Sequence, residues 1–300
     1  MSRKHAYLSV GTIAFLTMSG PAIAAEPIAC AACAEWNLPQ EPFRIHGRTY
    51  YVGTKGLGSI LITSNDGHVL IDGGLPESAS LVAANIETLG FRIEDVALIL
   101  NSHAHYDHAG GIAELQRLSG ARVAASPWSA EALRLGTPPL GDPQYGLGVQ
   151  VEPIGDIDII EEGDQLRVGD ITMNAHFTPG HTPGGTSWSW RSCEGGECLD
   201  IVYADSLTPV SADDFYFTRG SDYPGAVGDF EMSFTRLENL PCDILLAPHP
   251  GFTDLFDALE RRQSDEDSTV LIDPDACYKY VGGMRDWLAR RVAEENAEPQ

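Results

Sequence analysis

The chain has little positive charge. Its 300 residues include 43 Asp and Glu but only 19 Lys and Arg, which gives a formal net charge of −24. Lysine is the scarcest cation, since it occurs only at Lys4, Lys55 and Lys279. Proteins that bind nucleic acid neutralise its phosphates with Lys and Arg, so this composition excludes nucleic acid as an expected partner. Acidity of this kind favours solubility.

The sequence also lacks three features that would point to other classes of protein. The serine acyl-transfer motifs S-x-x-K, K-T-G and G-x-S-x-G are absent, which argues against a serine nucleophile. Beyond the N-terminus no apolar run is long enough to cross a membrane, so we expect no membrane anchor. No repeat or low-complexity linker divides the chain, and we expect a single domain and a monomer.

The first 25 residues are organised like a secretory signal peptide. Arg3 and Lys4 precede the apolar run YLSVGTIAFLTM, and the small residues of GPAIAAEP follow it. This order predicts cleavage after Ala24 or Ala25, and a catalytic domain of 26–300 that is periplasmic or secreted. Removal of the two cations leaves a net charge of −24 − 2 = −26.

All six cysteines follow the predicted cleavage site, and an even number in an oxidising compartment predicts disulfides. Cys193 and Cys198 flank a Gly-Gly turn in RSCEGGECLD, which predicts a disulfide across a hairpin. Cys242 and Cys277 are expected to form a second pair. Closing a loop of that length stabilises the fold by roughly 3–4 kcal/mol through chain entropy.

The remaining pair, Cys30 and Cys33, stands in the segment ACAACAE near the start of the mature chain. A redox C-x-x-C motif usually follows a strand and opens a helix, whereas this one lies in an N-terminal tail. The interpretation that we prefer is a local disulfide, with a redox motif as the alternative.

Four potential metal ligands lie within six positions of the segment NSHAHYDHAGG: His103, His105, Asp107 and His108. The apolar run 96–100 before them predicts a buried strand, along which the first two histidines would point to the same side. Helical spacing follows, which places Asp107 and His108 in a strand-to-helix turn. Imidazole nitrogen and carboxylate oxygen suit zinc. The pattern predicts a metal site rather than a surface loop that happens to contain histidines.

Two further histidines each follow an apolar, strand-like run. His181 lies in FTPGHTPGG and His249 in ILLAPHPGF. Either one alone is more simply explained as an ordinary loop histidine. Together with the first cluster they complete two sets of three ligands.

Strand-like and helical runs alternate along the chain, which indicates a mixed α and β fold with at least two layers. The predicted strands are RTYYVGT, GSILITS, HVLIDGG, VALILNS, RVAAS, ITMNAHFTP, LDIVYAD and DILLAPH. The predicted helices lie near 78–89, 110–119, 128–135, 226–239 and 276–295. The Gly- and Pro-rich segment 136–156 has no core periodicity, and long irregular loops of this kind are often functional.

The motifs SHAHYDHAGG, PGHTPGG, YADSLTP and APHPG, in this order and spacing, resemble the metallo-β-lactamase superfamily. More narrowly, nearly the whole mature chain resembles the class B, subclass 3 (B3) β-lactamases. The resemblance implies an α/β fold, an αβ/βα four-layer sandwich in a single domain, with the metals at one edge of two facing sheets. It also implies two zinc ions per chain, one held by His103, His105 and His181 and the other by Asp107, His108 and His249.

The function that this resemblance implies is hydrolysis of the amide bond of β-lactam antibiotics by a metal-bound hydroxide. The expected partner is therefore a small-molecule penicillin, cephalosporin or carbapenem, and Asp107 would orient the nucleophile. Ser206 and Thr208 are candidates to bind the substrate carboxylate. Gln144 and Trp36 are further candidates for substrate contact, with core packing as the alternative for Trp36.

The dipeptide Asp205-Ser206 lies at a position where related families of this superfamily carry different residues. Many β-lactamases of the first two subclasses have a cysteine in this region, whereas glyoxalase II bridges its metals there with an aspartate. A neutral hydroxyl is a poor zinc ligand, so the B3 pattern uses His108 instead. If Asp205 were a ligand, an exported lactonase or a glyoxalase II-like thioesterase would be the alternative. A secreted zinc-binding protein without catalysis is a second one. Asp72 in VLIDGG is expected to be a structural carboxylate.

Overall fold

The structure is a computed structural model that describes residues 28, 30–265 and 269–298. The predicted signal peptide, 1–25, lies outside the described residues. In the described part, the strands form one sheet of seven and one of five. No helix there is both long and apolar enough to span a membrane.

The seven-stranded sheet follows chain order from one edge to the other. Its strands are β1 Phe43–His46, β2 Thr49–Tyr51, β3 Ile60–Ile62, β4 His68–Ile71, β5 Val96–Leu100, β6 Arg122–Ala125 and β7 Asp158–Ile159. β1 to β4 pair antiparallel, whereas β4 to β7 pair parallel. The strand β5 is buried almost throughout because helices cover one face and the second sheet covers the other.

The five-stranded sheet has the order β12-β11-β10-β9-β8. Its strands are β8 Gln165–Val168, β9 Ile171–Phe177, β10 Thr186–Glu194, β11 Glu197–Tyr203 and β12 Ile244–Leu246. β8 to β11 pair antiparallel, and β12 adds parallel to β11.

Helices cover the outer face of each sheet. They are α1 Cys33–Trp36, α2 Ala79–Thr88, α3 Tyr106–Ala109, α4 Ile112–Ser119, α5 Pro127–Leu135, α6 Ala226–Glu238, α7 Leu255–Asp265 and α8 Ala276–Ala297. Apolar side chains of α2, α4 and α5 pack on the seven-stranded sheet, and those of α6 and α8 pack on the five-stranded sheet. The predicted four-layer αβ/βα sandwich is thereby confirmed.

The two sheets share a core of interdigitating side chains. Trp188 is fully buried in this core, and Trp190 is 2% exposed. The indole Nε1–H of Trp190 donates to Oγ1 of Thr49 in the opposite sheet, at 3.0 Å. Since a buried indole N–H needs a partner, this bond fixes how the sheets face each other.

Each helix predicted from sequence is present, but the structure adds helices α1 and α7 and strands β1, β7 and β8, which were not predicted. Helix α7 has apolar residues at helical spacing, but charged residues dominate its sequence. In the predicted strand-to-helix turn, Asp107 and His108 lie in the one-turn helix α3. The amides of His108 and Ala109 both donate to the carbonyl of His105, which closes that turn.

The six cysteines form three disulfides in the structure, and no free cysteine remains among the described residues. Cys193 pairs with Cys198 at the end of the β10–β11 hairpin. Cys242 pairs with Cys277 and so ties the segment before β12 to the first turn of α8. The third disulfide joins Cys30 and Cys33 at the start of α1, which is the local pairing that the sequence predicted.

Candidate metal centre

The predicted ligands converge at one edge of the two sheets. Each lies just beyond the end of a buried strand: His103 and His105 after β5, His181 after β9, and His249 after β12. Apolar strands from both sheets end at the same edge, and their following loops therefore deliver polar side chains to one place. Sequence positions more than 140 residues apart are brought together in this way.

The first set consists of His103, His105 and His181. One ring nitrogen from each lies within 4.8 Å of the others, and all three side chains are buried. The ring centroids are 4.8–4.9 Å apart, with the rings nearly perpendicular to one another. Three imidazoles packed in this way turn edges rather than faces toward a common point.

In each of these histidines the other ring nitrogen donates a hydrogen bond. The pairs are His103 Nδ1 to Asp205 Oδ1 at 2.7 Å, His105 Nε2 to Asp142 Oδ1 at 2.8 Å, and His181 Nδ1 to the Thr208 carbonyl at 2.7 Å. Each bond fixes the tautomer, so the remaining nitrogen carries a lone pair. Among the described residues, Nε2 of His103 is buried without any hydrogen-bond partner. A metal ion would satisfy it.

The second set consists of Asp107, His108 and His249. Oδ2 of Asp107 lies 3.3 Å from Nε2 of His108 and 3.3 Å from Nε2 of His249. Two ligands on a tetrahedral zinc, at bond lengths of about 2.0–2.1 Å, are separated by about 3.3 Å. Both spacings to Asp107 fit ligands of one zinc ion, and the ligand atoms of Asp107 and His108 also lie within 4.8 Å of one ring nitrogen of His103. Nδ1 of His249 donates to the Gly56 carbonyl at 3.2 Å, which orients the ring.

The electrostatics favour the ligand form of Asp107, His103 and His181, whereas at His105 burial is outweighed by the Asp142 carboxylate, which raises the pKa of that imidazole. Burial would raise the pKa of Asp107, but His108 and His249 outweigh it and hold that pKa well below its usual range. Burial, together with the neighbouring histidines, lowers the pKa of His103, and it lowers the pKa of His181 to about 3. An ionised carboxylate and neutral imidazoles are the forms that bind metal.

Two carboxylates beneath the site hold its ligand loops. Asp142, in the Gly- and Pro-rich segment, is 3% exposed and binds His105; the sequence marked the segment as functional but gave no signal for this residue. Asp72 accepts from the amide and hydroxyl of Ser102 at 2.8 and 2.6 Å, and from the hydroxyl of Tyr203 at 2.9 Å. Asp72 is thus the structural carboxylate that the sequence predicted, and it fixes the residue preceding His103.

The dipeptide Asp205-Ser206 lies behind the first ligand set. Asp205 is fully buried and contacts Nδ1 of His103, the nitrogen that faces away from the other ligands. Ser206 is 1% exposed, and its hydroxyl has no hydrogen-bond partner among the described residues. Oγ1 of Thr208 likewise lies 3.2 Å from Nδ1 of His181, but Thr208 also lines the cavity at the site.

A cavity of about 640 Å³ opens above the ligands. Of the four predicted substrate contacts, Gln144, Trp36 and Thr208 line it, whereas Ser206 does not. The Trp36 ring lies 5.1 Å from the ring of His249 and also packs on a small apolar cluster, so both proposed roles for this residue agree with its position. Sequence reasoning missed the rest of the wall, which includes Lys55, Leu147, Val210 and Phe252. The volume is typical of sites for small molecules.

Comparison with known proteins agrees with this geometry. The sequence profile of the metallo-beta-lactamase superfamily matches residues 59–249. The Rm3 metallo-beta-lactamase superposes with a TM-score of 0.88 and 52% identity, over 90% of this chain and 100% of that one. MEM-A1, a subclass B3 metallo-beta-lactamase isolated from a soil metagenome library, superposes with a TM-score of 0.86 and 46% identity. That match covers 88% of this chain and 100% of MEM-A1.

Curated relatives include the hydroxyacylglutathione hydrolase of Rhodopseudomonas palustris (strain BisB5), which is 32% identical over 173 residues. That match covers 57% of this chain and 53% of the relative, so the chain spans about half the length of the curated relatives it matches. The resemblance predicted from the motifs is confirmed by the profile and by the shared fold. This chain belongs to the metallo-beta-lactamase superfamily, and its structural neighbours are members of subclass B3.

Proposed function

We propose that this protein is an exported dizinc β-lactamase. The observation that carries the proposal is the position of Asp205, which contacts Nδ1 of His103 behind the cluster of ligands. An aspartate that bridged two metals would share their side of the histidine ring, whereas Asp205 contacts the opposite nitrogen. The high structural similarity to B3 enzymes supports the same conclusion. The N-terminal signal pattern and the three disulfides support export.

The donor set fits zinc, with His103, His105 and His181 in one site and Asp107, His108 and His249 in the other. Zinc supplies Lewis acidity when bound, because it polarises a carbonyl and lowers the pKa of water toward neutrality. Asp107 is the only carboxylate among the described residues that line the cavity. Its ionised form is placed to orient the attacking water and to accept a proton from it.

The cavity wall would bind and orient the β-lactam. Thr208 lies beside His181 and offers a hydroxyl to the substrate carboxylate. Trp36 and Leu147 provide apolar surface for the substituents of the ring, and Gln144 adds a polar contact.

The alternative is a thioesterase similar to the hydroxyacylglutathione hydrolases. A direct comparison decides between the two: purified mature protein is given a chromogenic cephalosporin, a penicillin, a carbapenem and a hydroxyacylglutathione thioester. We expect hydrolysis of the β-lactams and none of the thioester. Thioester hydrolysis without β-lactam hydrolysis would refute the proposal. It would also predict that Asp205→Asn removes a zinc while His108→Ala leaves both.

A further inference from the structure

Among the described residues that line the cavity, one is a lysine or arginine, and the proposed mechanism gives it no role. This residue is Lys55, whose side chain is exposed. Lys279, the other lysine of the predicted mature chain, lies elsewhere on the surface and is paired with Asp273 at 2.7 Å. Lys55 forms no ion pair with any described residue. Its ammonium group is therefore available to a ligand.

The backbone holds Lys55 beside the second ligand set. Its amide donates to the carbonyl of Leu38 at 2.9 Å, and the amide of Gly56 donates to the carbonyl of Trp36 at 3.0 Å. The carbonyl of Gly56 accepts from His249, so the loop that carries Lys55 also orients that histidine. The position of Lys55 relative to the site is thus built into the fold, and only its side chain is free to move.

The loop of Lys55 and the residue Thr208 contact different rings of the histidine cluster. Neighbouring rings form a row in the order His249, His108, His103, His181, with centroids 4.7, 4.5 and 4.9 Å apart. The loop of Lys55 contacts the first ring of this row, and Thr208 contacts the last. A substrate carboxylate held at Thr208 would therefore leave Lys55 unpaired.

We propose that Lys55 binds a second anionic group of the substrate and so makes the enzyme prefer β-lactams whose side chain carries a carboxylate. This inference rests on the proposed function, since it assigns a substrate class to the same cavity. The apolar surface of Trp36 and Phe252 would hold the body of such a substrate between its two charged ends. A lysine suits this task because its long stem lets one point charge reach groups of different length.

Because the protein as a whole is strongly negative, a cation at the cavity should have a measurable effect on the binding of anions. A protein with a net charge of −24 repels a dianion more strongly than a monoanion, and a cation at the cavity opposes this locally. Because an exposed pair is screened by water and salt, the expected preference is modest, about threefold to tenfold in kcat/KM.

The test uses two penicillins that differ only by an α-carboxylate on the side chain. Lys55→Met should lower kcat/KM for the dianionic penicillin about threefold to tenfold, mainly through KM, and should change the monoanionic one less than about twofold. Lys55→Arg should keep most of the preference. High salt should reduce the preference in the wild type but not in Lys55→Met. Lys279→Met is the matched control, since it makes the same change in net charge away from the cavity.

Equal losses on both penicillins, or equal losses in Lys55→Met and Lys279→Met, would overturn the proposal. If the wild type hydrolysed neither penicillin, the proposed function would be refuted instead. Calorimetric binding of the two pre-hydrolysed penicillins then tests Lys55 without turnover. Weaker binding of the more highly charged product alone in Lys55→Met would support the anion contact, and unchanged binding of both would overturn it.

Discussion

Replacement of Asp142 by asparagine tests whether the Gly- and Pro-rich segment holds a metal ligand in place. The carboxylate is 3% exposed, accepts from Nε2 of His105 at 2.8 Å, and accepts from the amide of Gln144 at 2.9 Å. Asp142→Asn keeps the volume but removes the charge. The amide oxygen of the asparagine can still accept from Nε2 of His105, but it is neutral and a weaker acceptor than the carboxylate. The ring then loses the charged partner that fixes its tautomer and orientation.

The expected size of the effect follows from the geometry. Mutation of the hydrogen-bond partner behind a metal-bound histidine typically reduces metal affinity about 10- to 100-fold, which corresponds to about 1.4–2.7 kcal/mol. We therefore expect zinc affinity and kcat/KM to fall together, by about one to two orders of magnitude.

Competition between the protein and a chromogenic chelator measures the zinc affinity, and thermal unfolding with and without zinc measures stability. Asp158→Asn is the control, because Asp158 is partly exposed and pairs with Arg122 away from the site. Zinc affinity within about twofold of the wild type, in a folded Asp142→Asn protein, would refute the idea that this loop positions His105.

Three further predictions follow from other parts of the structure. His108→Ala should remove one zinc and most of kcat while Asp205→Asn keeps both zincs, as elemental analysis would show; the reverse pattern would contradict the ligand assignment. Mass spectrometry of periplasmic protein, alkylated in denaturant, should find Cys242 unmodified until reduction, and an alkylated Cys242 would exclude its disulfide. Burial raises the pKa of Glu295, but the hydrogen bond from Arg291 and those from other donors outweigh burial, so the pKa is lowered. The ionised carboxylate therefore stabilises the fold above about pH 4.3, and this stabilisation is lost as the pH falls through the folded pKa. Glu295→Gln should therefore lower the Tm at neutral pH, and this deficit should shrink in acid; a constant deficit would show that the charge is not involved.

The strands that lead into the site and the positions of its histidines were predictable because each leaves a local signal. The run before His103 is apolar and ends in a cluster of ligands, and His181 and His249 follow similar runs. Such patterns predict a buried strand that is followed by a loop. The four-layer arrangement itself came from the resemblance of four motifs to a known family rather than from periodicity.

The supporting residues were not predictable, because their role depends on contacts across the chain. Asp142 and His105 are 37 residues apart, and the sequence around Asp142 is typical of any Gly- and Pro-rich loop. Tyr280 in α8 donates to the carbonyl of Asp205 at 2.9 Å and so braces the region behind His103, with no motif to mark it. The role that we propose for Lys55 depends on its position in the cavity wall, for which the sequence gives no signal.

The most direct test of the central claim is a titration of zinc into metal-free mature protein while hydrolysis of a chromogenic cephalosporin is followed. We expect no activity without metal and a rise that saturates at about two zincs per chain, because the ligands form two sets. In His249→Ala the rise should saturate at about one zinc, with most of the activity lost. Hydrolysis by the metal-free protein would contradict the requirement for zinc. Full activity at one zinc per chain, with His249→Ala unaffected, would contradict the assignment of two zinc sites.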